Sequence, residues 1–275
     1  MRPDWLAACR RAAAAVAEML DGAPTTAERV EETGNRGEGG DATLVIDARA
    51  EALVFEQLER LHREEGASFV AVSEERGFVD YGDDGTRVVI DPIDGSLNAK
   101  RGLPHHALSI AVADGPTMAD VMFGFVQDFG ARDEWYALRG GGAFLDGRRL
   151  ATDVPERRMR DGKLEVLGIE SADPRWVRAA ADDLAGAAHR VRALGALAIT
   201  VCQVAAARMD AMASIRNCRA VDVAAAQLIV REAGGVVAFT AFDHPLAAPL
   251  DIEPHSPIIA ARTAAGLAEL RRIPM

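Results

Sequence analysis

The chain has 275 residues, which is enough for one large domain or two fused ones around a substantial core. Hydrophobic residues make up 49% and charged residues 27%, as in an ordinary globular protein, and the formal net charge is −11. This charge argues against nonspecific binding to nucleic acid or to an anionic membrane, so an anionic substrate would need a locally positive site.

The cysteines and the apolar segments bear on where the protein works. Cys9, Cys202 and Cys218 are widely spaced and form no CxxC pair, as expected for reduced thiols in a cytoplasmic protein. The N-terminus lacks the apolar stretch and cleavage site of a signal peptide. The longest apolar segment, 193–207, is too short to span a membrane and predicts a buried helix. We therefore predict a cytoplasmic protein without a membrane partner.

Acidic residues follow the strands of the N-terminal half. The predicted elements are a helix at 4–20, a Gly-rich charged loop at 31–41, a strand at 43–46, a helix from 47 to about 62, and strands at 68–72 and 87–90. Asp47, Glu74 and Asp91 each come just past a strand. In α/β folds that edge of a sheet is where sites are assembled, although Asp47 would also serve as a helix N-cap.

The segment 91–98, Asp-Pro-Ile-Asp-Gly-Ser-Leu-Asn, is the central motif. Asp91 and Asp94 stand three residues apart at the end of a strand, and the proline between them restricts the backbone so that the carboxylates can converge. Gly95 and Ser96 follow where a helix could start, and free backbone N–H groups there suit a phosphate oxygen. Carboxylates beside an anion site are typical of Mg²⁺-dependent phosphoryl chemistry, whereas such a motif alone is also compatible with a structural turn.

The remaining elements change character along the chain. Consecutive short strands at 107–113, 121–126, 135–138 and 140–145 indicate an antiparallel sheet. From about 153, strands alternate with longer helices: strands at 163–169, 210–214, 236–239 and 257–260, and helices at 175–184, 195–209 and 221–233. Asp222 lies at the start of the last helix, where it would be either an N-cap or a site residue.

Five motifs in collinear order now indicate a family. They are Asp47 after a strand, Ser73-Glu74-Glu75, the 91–98 motif, Glu134-Trp135-Tyr136-Ala137 with the Gly-rich segment 141–147, and Val221-Asp222-Val223-Ala224-Ala225 with Glu232-Ala233-Gly234-Gly235. Together they resemble the inositol monophosphatase family, within the fructose-bisphosphatase-like superfamily of Mg²⁺-dependent, Li⁺-sensitive phosphatases. The chain is most similar to the archaeal-type members, which often have dual inositol-phosphatase and fructose-bisphosphatase activity.

This resemblance implies the fold and the assembly. The expected fold is a five-layered αβαβα sandwich of mixed α+β and α/β class. We expect an N-terminal α+β subdomain at 1–152, which holds the metal-binding motif. A C-terminal α/β subdomain at 153–275 would supply Asp222 and substrate contacts. Family members are commonly homodimers, and we expect the same here.

The resemblance also implies a metal site. Glu74, Asp91 and the Ile93 carbonyl would hold a first Mg²⁺, while Asp91, Asp94 and Asp222 would hold a second. A third and weaker Mg²⁺ would lie near Glu74, and Mn²⁺ is the alternative metal. Two adjacent metals can stabilise both the attacking and the leaving oxygen of an in-line displacement.

Further roles follow from the same resemblance. Asp94 and the backbone N–H groups of Gly95 and Ser96 would bind the phosphate. The Ser96 hydroxyl, paired with Asp47, and the Glu74 carboxylate would orient and deprotonate the attacking water, without a covalent phospho-enzyme. The Gly-rich loop at 34–40 would be a mobile catalytic loop that closes over the metals; the other interpretation of this loop is a surface linker.

The substrate-binding positions depart from the family pattern. Ile215 stands where many animal members have a Glu that contacts inositol, and the substrate loop reads Gly195-Ala196, which lacks a hydroxyl. Arg216 and Arg219 lie nearby and would bind a second phosphate, unless they are surface charges in an Arg-rich protein.

These inferences predict a Mg²⁺-dependent phosphomonoesterase that hydrolyses inositol monophosphate, fructose 1,6-bisphosphate or both. A small phosphorylated sugar or inositol is the expected partner, with no nucleic acid. One alternative is a 3′-phosphoadenosine 5′-phosphate or NADP phosphatase, although two Tyr and three Trp offer no obvious platform for adenine. The other is a family member that acts mainly as an interaction or regulatory protein.

Overall fold

An eight-stranded sheet forms the N-terminal part of the protein. The computed structural model describes residues 3–23, 26–30, 32–36, 38, 42–82 and 85–274. The strands of this sheet are β3 (Val70–Ser73), β4 (Gly77–Asp80), β5 (Arg87–Asp94), β6 (Ala107–Ala113), β7 (Val121–Asp128), β8 (Glu134–Leu138), β9 (Gly142–Leu145) and β10 (Arg148–Arg149). Their order is β10-β9-β8-β7-β6-β5-β3-β4, and all neighbours are antiparallel except β3 and β5. The predicted antiparallel strands are confirmed.

Two helices cover one face of this sheet. They are α1 (Trp5–Asp21) and α3 (Val45–Glu65), and α1 starts where the Asp4 side chain accepts the Ala7 N–H. Val16 of α1 and Val54 of α3 are fully buried in the same hydrophobic cluster as Ile110 of the sheet. Two shorter helices, α2 (Thr26–Arg29) and α4 (Ser96–Arg101), contact one another beside them.

A second sheet of five strands forms the C-terminal part. It contains β11 (Leu164–Glu170), β12 (Ala188–Arg192), β13 (Ala211–Ser214), β14 (Val236–Phe239) and β15 (Ile258–Ala261), in the order β12-β11-β13-β15-β14. The β11 strand runs parallel to both of its neighbours. The outer face is covered by α5 (Pro174–Ala179), α6 (Ala181–Ala187) and α9 (Ala264–Leu270).

Two buried helices fill the space between the sheets. These helices, α7 (Leu197–Ala205) and α8 (Ala220–Glu232), contact strands of both sheets. Small residues permit the close packing: a Cβ at Gly124 of β7 would lie 2.6 Å from the Ala225 carbonyl oxygen of α8. The layers are therefore helix, sheet, helix, sheet, helix, which confirms the predicted five-layered αβαβα sandwich. The division into subdomains at residue 152 stays a prediction.

Several predicted elements have different bounds in the structure. The expected loop at 31–41 includes β1 (Glu32–Arg36), which pairs with β2 (Ala42–Leu44). The helix predicted at 175–184 is two helices that meet at Ala180, and β4, β12 and α9 were not predicted. Position 196 is the N-cap of α7, so the helix predicted at 195–209 is shorter at both ends.

The structure also bears on membrane-spanning helices and on the Gly-rich loop at 34–40. None of the helices within the described ranges combines the length and the apolar character that crossing a bilayer requires. The loop at 34–40 lies partly outside the described residues, so its role as a catalytic loop stays a prediction. Of its described positions, Glu38 donates its N–H to the Glu75 carbonyl at 3.3 Å.

Candidate active site

The predicted carboxylates meet where β3 and β5 end. Glu74 directly follows β3, Asp91 and Asp94 lie in the last four residues of β5, and Asp222 lies in the first turn of α8. Asp91 interacts electrostatically with the other three, which places all four in one cluster. Asp47 lies in the first turn of α3 and is buried. We call Glu74, Asp91, Asp94 and Asp222 the carboxylate cluster.

A bulge in β5 shapes the central motif. Pairing with β6 shifts register between Asp91 and Asp94, so these two side chains need not alternate across the sheet. The Asp91 carboxylate accepts the Ile93 N–H at 3.0 Å, and the Ser96 hydroxyl donates to the Ile93 carbonyl at 2.9 Å. The predicted pairing of the Ser96 hydroxyl with Asp47 stays a prediction.

Asp94 connects the motif to the buried helix α7. One of its carboxylate oxygens accepts the Leu197 N–H at 3.0 Å and the other accepts the Ala198 N–H at 2.8 Å. These are first-turn amides, which have no partner within the helix, and the positive helix N-terminus favours a carboxylate. The predicted substrate residues Gly195 and Ala196 precede this helix and are thereby held beside the 91–98 motif.

The contact between these two segments depends on glycine. We expect Gly95→Ala to lower the stability of the protein more than Gly102→Ala, as measured by chemical denaturation. Both glycines have left-handed backbones (φ 84° and 66°), which strains any alanine by about 1–2 kcal/mol. A Cβ at Gly95 would also lie 3.0 Å from both the Gly195 carbonyl oxygen and the Ala196 Cβ, whereas one at Gly102 meets nothing within 4 Å. Overpacking then costs Gly95→Ala a further ~1–3 kcal/mol, and equal losses in the two variants would contradict this contact.

Two residues that the sequence analysis missed hold the substrate segment. The Glu170 carboxylate, at the end of β11, accepts the N–H groups of Leu194 and Gly195 at 3.1 and 3.2 Å. The Asn98 amide donates to the Leu194 carbonyl at 2.7 Å. Glu170 follows the same rule as the other acidic residues, since it too stands at the end of a strand, and that rule was the available signal.

A third missed residue fixes the turn that carries Glu74. Glu51 of α3 is buried, and its carboxylate accepts the Ser73 hydroxyl and the Arg76 N–H, the latter at 3.2 Å. The Arg76 guanidinium returns to the same carboxylate at 3.0 Å. The residues on both sides of Glu74 are therefore tied to α3, which restricts where the Glu74 carboxylate can point.

The two predicted phosphate-binding arginines have different surroundings. Arg219 donates from one guanidinium nitrogen to Glu74 at 2.5 Å and from another to Asp222 at 3.1 Å, and its backbone N–H donates to Asp222 at 3.0 Å. Arg216 is exposed, with its guanidinium 5.1 Å from the ring centre of Trp176. The structure thus places Arg219 in the carboxylate cluster, and the two arginines do not form a single cationic patch.

The chain is similar in sequence to known proteins over most of its length. A model of the inositol monophosphatase family matches residues 2–274. The chain belongs to this family. A fructose-1,6-bisphosphatase/inositol-1-monophosphatase of Thermococcus kodakarensis is 38% identical over 199 residues, covering 72% of this chain and 70% of the relative. A Nus factor SuhB of Pasteurella multocida is 31% identical over 201 residues, covering 72% and 71%.

Structural comparison supports the same assignment. The crystal structure of an inositol monophosphatase–fructose 1,6 bisphosphatase superposes with a TM-score of 0.80 and 25% identity, covering 98% of this chain and 99% of the other. The likeness thus spans both sheets, and the fold is that of the inositol monophosphatase family.

The carboxylate cluster contains more negative than positive groups. Burial raises the pKa of Asp91 well above its usual range, and the neighbouring Glu74, Asp94 and Asp222 raise it further. Burial and Asp222 likewise raise the pKa of Asp94, against the Leu197 and Ala198 N–H groups. The pKa of Glu74 is also raised by burial, although Arg219 opposes this shift. A bound cation would relieve all three carboxylates.

The chemistry of the cluster fits the metal that the family implies. Carboxylate oxygens are hard ligands, which suit Mg²⁺, and the burial and crowding that raise the pKa of Asp91 and Asp94 disfavour their charged forms unless a cation is bound. As the side chains stand, no group of three or more His, Cys, Asp or Glu residues within the described part of the chain is close enough to hold a metal ion.

A cavity of about 440 Å³ opens beside the carboxylates. Its lining includes Asp94, Glu170, Gly195, Arg219 and Asp222, so two of the predicted metal residues, Asp94 and Asp222, share one space with the substrate segment. None of the described residues that line this cavity is aromatic. This volume suits a small polar substrate more than a large stacked one.

Proposed function

We propose that this protein is a Mg²⁺-dependent phosphomonoesterase that hydrolyses inositol monophosphate, fructose 1,6-bisphosphate or both. The observation that carries the proposal is the meeting of four acidic side chains, two of them almost fully buried (Asp91 2% and Asp94 5% exposed), beside a polar cavity. Burying several carboxylates together is unfavourable unless a cation or a proton compensates, so such clusters mark functional sites more often than structural ones.

The proposed roles are distributed over the described residues. Glu74, Asp91, Asp94, Asp222 and the Ile93 carbonyl would hold two or three Mg²⁺ ions, with Mn²⁺ as the alternative metal. When bound, Mg²⁺ lowers the pKa of water and compensates the charge of the phosphate. The N–H groups of Gly95 and Ser96, at the start of α4, would bind the phosphate oxygens together with Asp94. Glu74, Asp47 and the Ser96 hydroxyl would orient the attacking water and receive its proton.

Substrate choice would depend on the opposite side of the cavity. The Gly195-Ala196 backbone, held by Glu170 and Asn98, would contact the sugar or inositol hydroxyls. Arg216 is the better candidate for a second phosphate, because its guanidinium is exposed and Arg219 is engaged with Glu74 and Asp222. Homodimer formation and a cytoplasmic location remain parts of the proposal that the family suggests.

The two alternatives meet different objections. A 3′-phosphoadenosine 5′-phosphate or NADP phosphatase needs a surface on which adenine can stack, and the described lining of the cavity contains no aromatic side chain. A mainly regulatory role is suggested by the relative named Nus factor SuhB. Against it stands the conjunction of the carboxylate cluster with a cavity, since an interaction surface does not require buried acidic residues.

Phosphate release with Mg²⁺ tests the proposal. The panel contains inositol 1-phosphate, fructose 1,6-bisphosphate, 3′-phosphoadenosine 5′-phosphate and NADP. We expect turnover of one or both of the first two, and Arg216→Ala should raise KM about tenfold for the bisphosphate alone, as for the loss of one charge-assisted contact of roughly 1.4 kcal/mol. Preference for the adenine nucleotides would favour the first alternative. No release from a folded protein that binds Mg²⁺ would favour the second.

A further inference from the structure

Arg219 occupies an unusual place for an arginine in this site. Its side chain is only 20% exposed, and its two terminal nitrogens reach two different acidic residues, Glu74 and Asp222. Glu74 lies 145 residues earlier in the chain, so the guanidinium joins the end of β3 to the start of α8. A surface arginine in an Arg-rich protein would not make this pair of contacts.

Electrostatic interactions also connect Arg219 with Asp91, a third member of the carboxylate cluster. Burial alone would lower its pKa, but Asp222, Glu74 and Asp91 together raise it above its usual range. The reverse effect is also present, since Arg219 opposes the upward pKa shifts of Glu74 and Asp91. The guanidinium thus interacts with three of the four carboxylates that the proposed metal ions need.

We propose that Arg219 is an internal counter-ion of the carboxylate cluster and exchanges with Mg²⁺. This inference rests on the proposed function, because it requires Mg²⁺ to bind at Glu74 and Asp222. An oxygen that accepts a guanidinium N–H at 2.5 Å has less capacity to ligate a metal, and two cations held by the same carboxylates repel each other. Metal binding therefore displaces the Arg219 guanidinium, and the strength of its ion pairs sets the apparent metal affinity.

The cavity can accommodate the displaced Arg219 side chain. Arg219 lines the 440 Å³ cavity beside Asp94 and Glu170, so a rotation away from Glu74 carries the guanidinium into the space proposed for the substrate. There it would face an anionic ligand. Exchange would thus restrict the cationic form of the substrate cavity to protein that has already bound metal.

The decisive measurement is Mg²⁺ affinity without substrate. Isothermal titration calorimetry compares wild type with Arg219→Gln, which removes the charge and keeps an amide donor. We expect the variant to bind Mg²⁺ about tenfold more tightly, which corresponds to ~1.4 kcal/mol. Arg216→Gln is the matched control, since it removes the same charge three residues away on the same segment, and its Kd should stay within about twofold of wild type.

Thermal unfolding provides a second measurement on the same proteins. In buffer without divalent metal, Arg219→Gln should lower Tm, because the carboxylates lose their counter-ion and repel one another. Saturating Mg²⁺ should then raise Tm more in this variant than in wild type, since the metal no longer replaces an existing ion pair. Circular dichroism at 20 °C establishes that the variant is folded before titration.

A spectroscopic observation separates displacement from simple repulsion. The Nε–Hε resonance of Arg219 is assigned by its loss in Arg219→Gln, and it should shift during Mg²⁺ titration of wild type as the ion pairs break. An unmoved resonance, or equal Kd values in wild type and Arg219→Gln, would overturn the exchange while leaving the proposed phosphatase intact. Failure of every protein to bind Mg²⁺ would instead overturn both proposals.

Discussion

Asp91→Asn should abolish phosphate release, lowering kcat by about 10³-fold or more, because metal-assisted charge stabilisation contributes several kcal/mol to the transition state. The same variant should be at least as stable as wild type in buffer without divalent metal. Asp91 is the residue at which these two effects separate best. Its carboxylate is buried and interacts with three other acidic side chains, and it accepts the Ile93 N–H in a hydrogen bond that an Asn oxygen can keep.

The expected gain in stability follows from the sign of the pKa shift. Burial and the neighbouring carboxylates raise the pKa of Asp91 above its ordinary value of 3.8, so near and above that value the folded protein holds a proton that the unfolded chain has released. Stability without metal therefore falls as pH rises from the ordinary pKa through the raised one. The neutral Asn side chain removes this dependence.

Three measurements on Asp91→Asn test the argument. They are kcat with Mg²⁺, Tm without divalent metal at pH 5 to 8, and the increase in Tm on adding Mg²⁺, which should largely vanish. Asp128→Asn is the control, because Asp128 is also buried but accepts the Gly130 and Ala131 N–H groups through one oxygen, outside the cluster. Substantial activity in Asp91→Asn would exclude Asp91 as a metal ligand in the proposed reaction.

The strands buried on both faces were the most predictable part of the fold. The strand expected at 107–113 has the observed bounds Ala107–Ala113, because all seven residues are buried and all except Ser109 are apolar. The strand at 236–239 matches for a similar reason. Such strands can be recognised from the local sequence, because burial on both faces selects apolar residues at consecutive positions.

The sequence patterns of some exposed elements did not predict them. The strand β12 has one buried residue followed by four exposed ones, so no alternation marks it as a strand. Helix α5 buries none of its residues, and the break at Ala180 follows no Pro or Gly. The β1 strand forms in a Gly-rich, charged segment through pairing with β2, which the local sequence does not encode.

Some site residues could likewise be predicted from the local sequence and others could not. Asp47, Glu74, Asp91, Asp94 and Asp222 were selected because each follows a strand or starts a helix, and four of them form the cluster. Their sequence neighbourhoods contain this information. The ion pair of Arg219 with Glu74 could not be predicted from the local sequence, since the two residues are 145 positions apart. The role of Glu170 in holding Leu194 and Gly195 depends equally on the tertiary arrangement.

Asp94→Asn should combine loss of activity with loss of stability, which distinguishes it from Asp91→Asn. If Asp94 were only a metal ligand, this replacement would change the fold little. In the structure, however, the two oxygens of Asp94 accept two different amides, from Leu197 and Ala198. An Asn side chain has one oxygen, so one buried N–H at the start of α7 would face an NH₂ group, at a cost of about 1–3 kcal/mol.

Asp210→Asn supplies the matched control for this prediction. Asp210 is buried, and its two oxygens accept the Arg157 and Val166 N–H groups at 2.7 and 2.8 Å, away from the cluster. Chemical denaturation should show a similar loss of stability in Asp94→Asn and Asp210→Asn, less any gain at Asp94 from removing a buried charge. Only Asp94→Asn should lose Mg²⁺ binding and turnover. If Asp94→Asn keeps its activity at normal stability, then Asp94 neither binds metal nor positions α7, because metal binding needs the carboxylate charge and the two helix amides need both carboxylate oxygens.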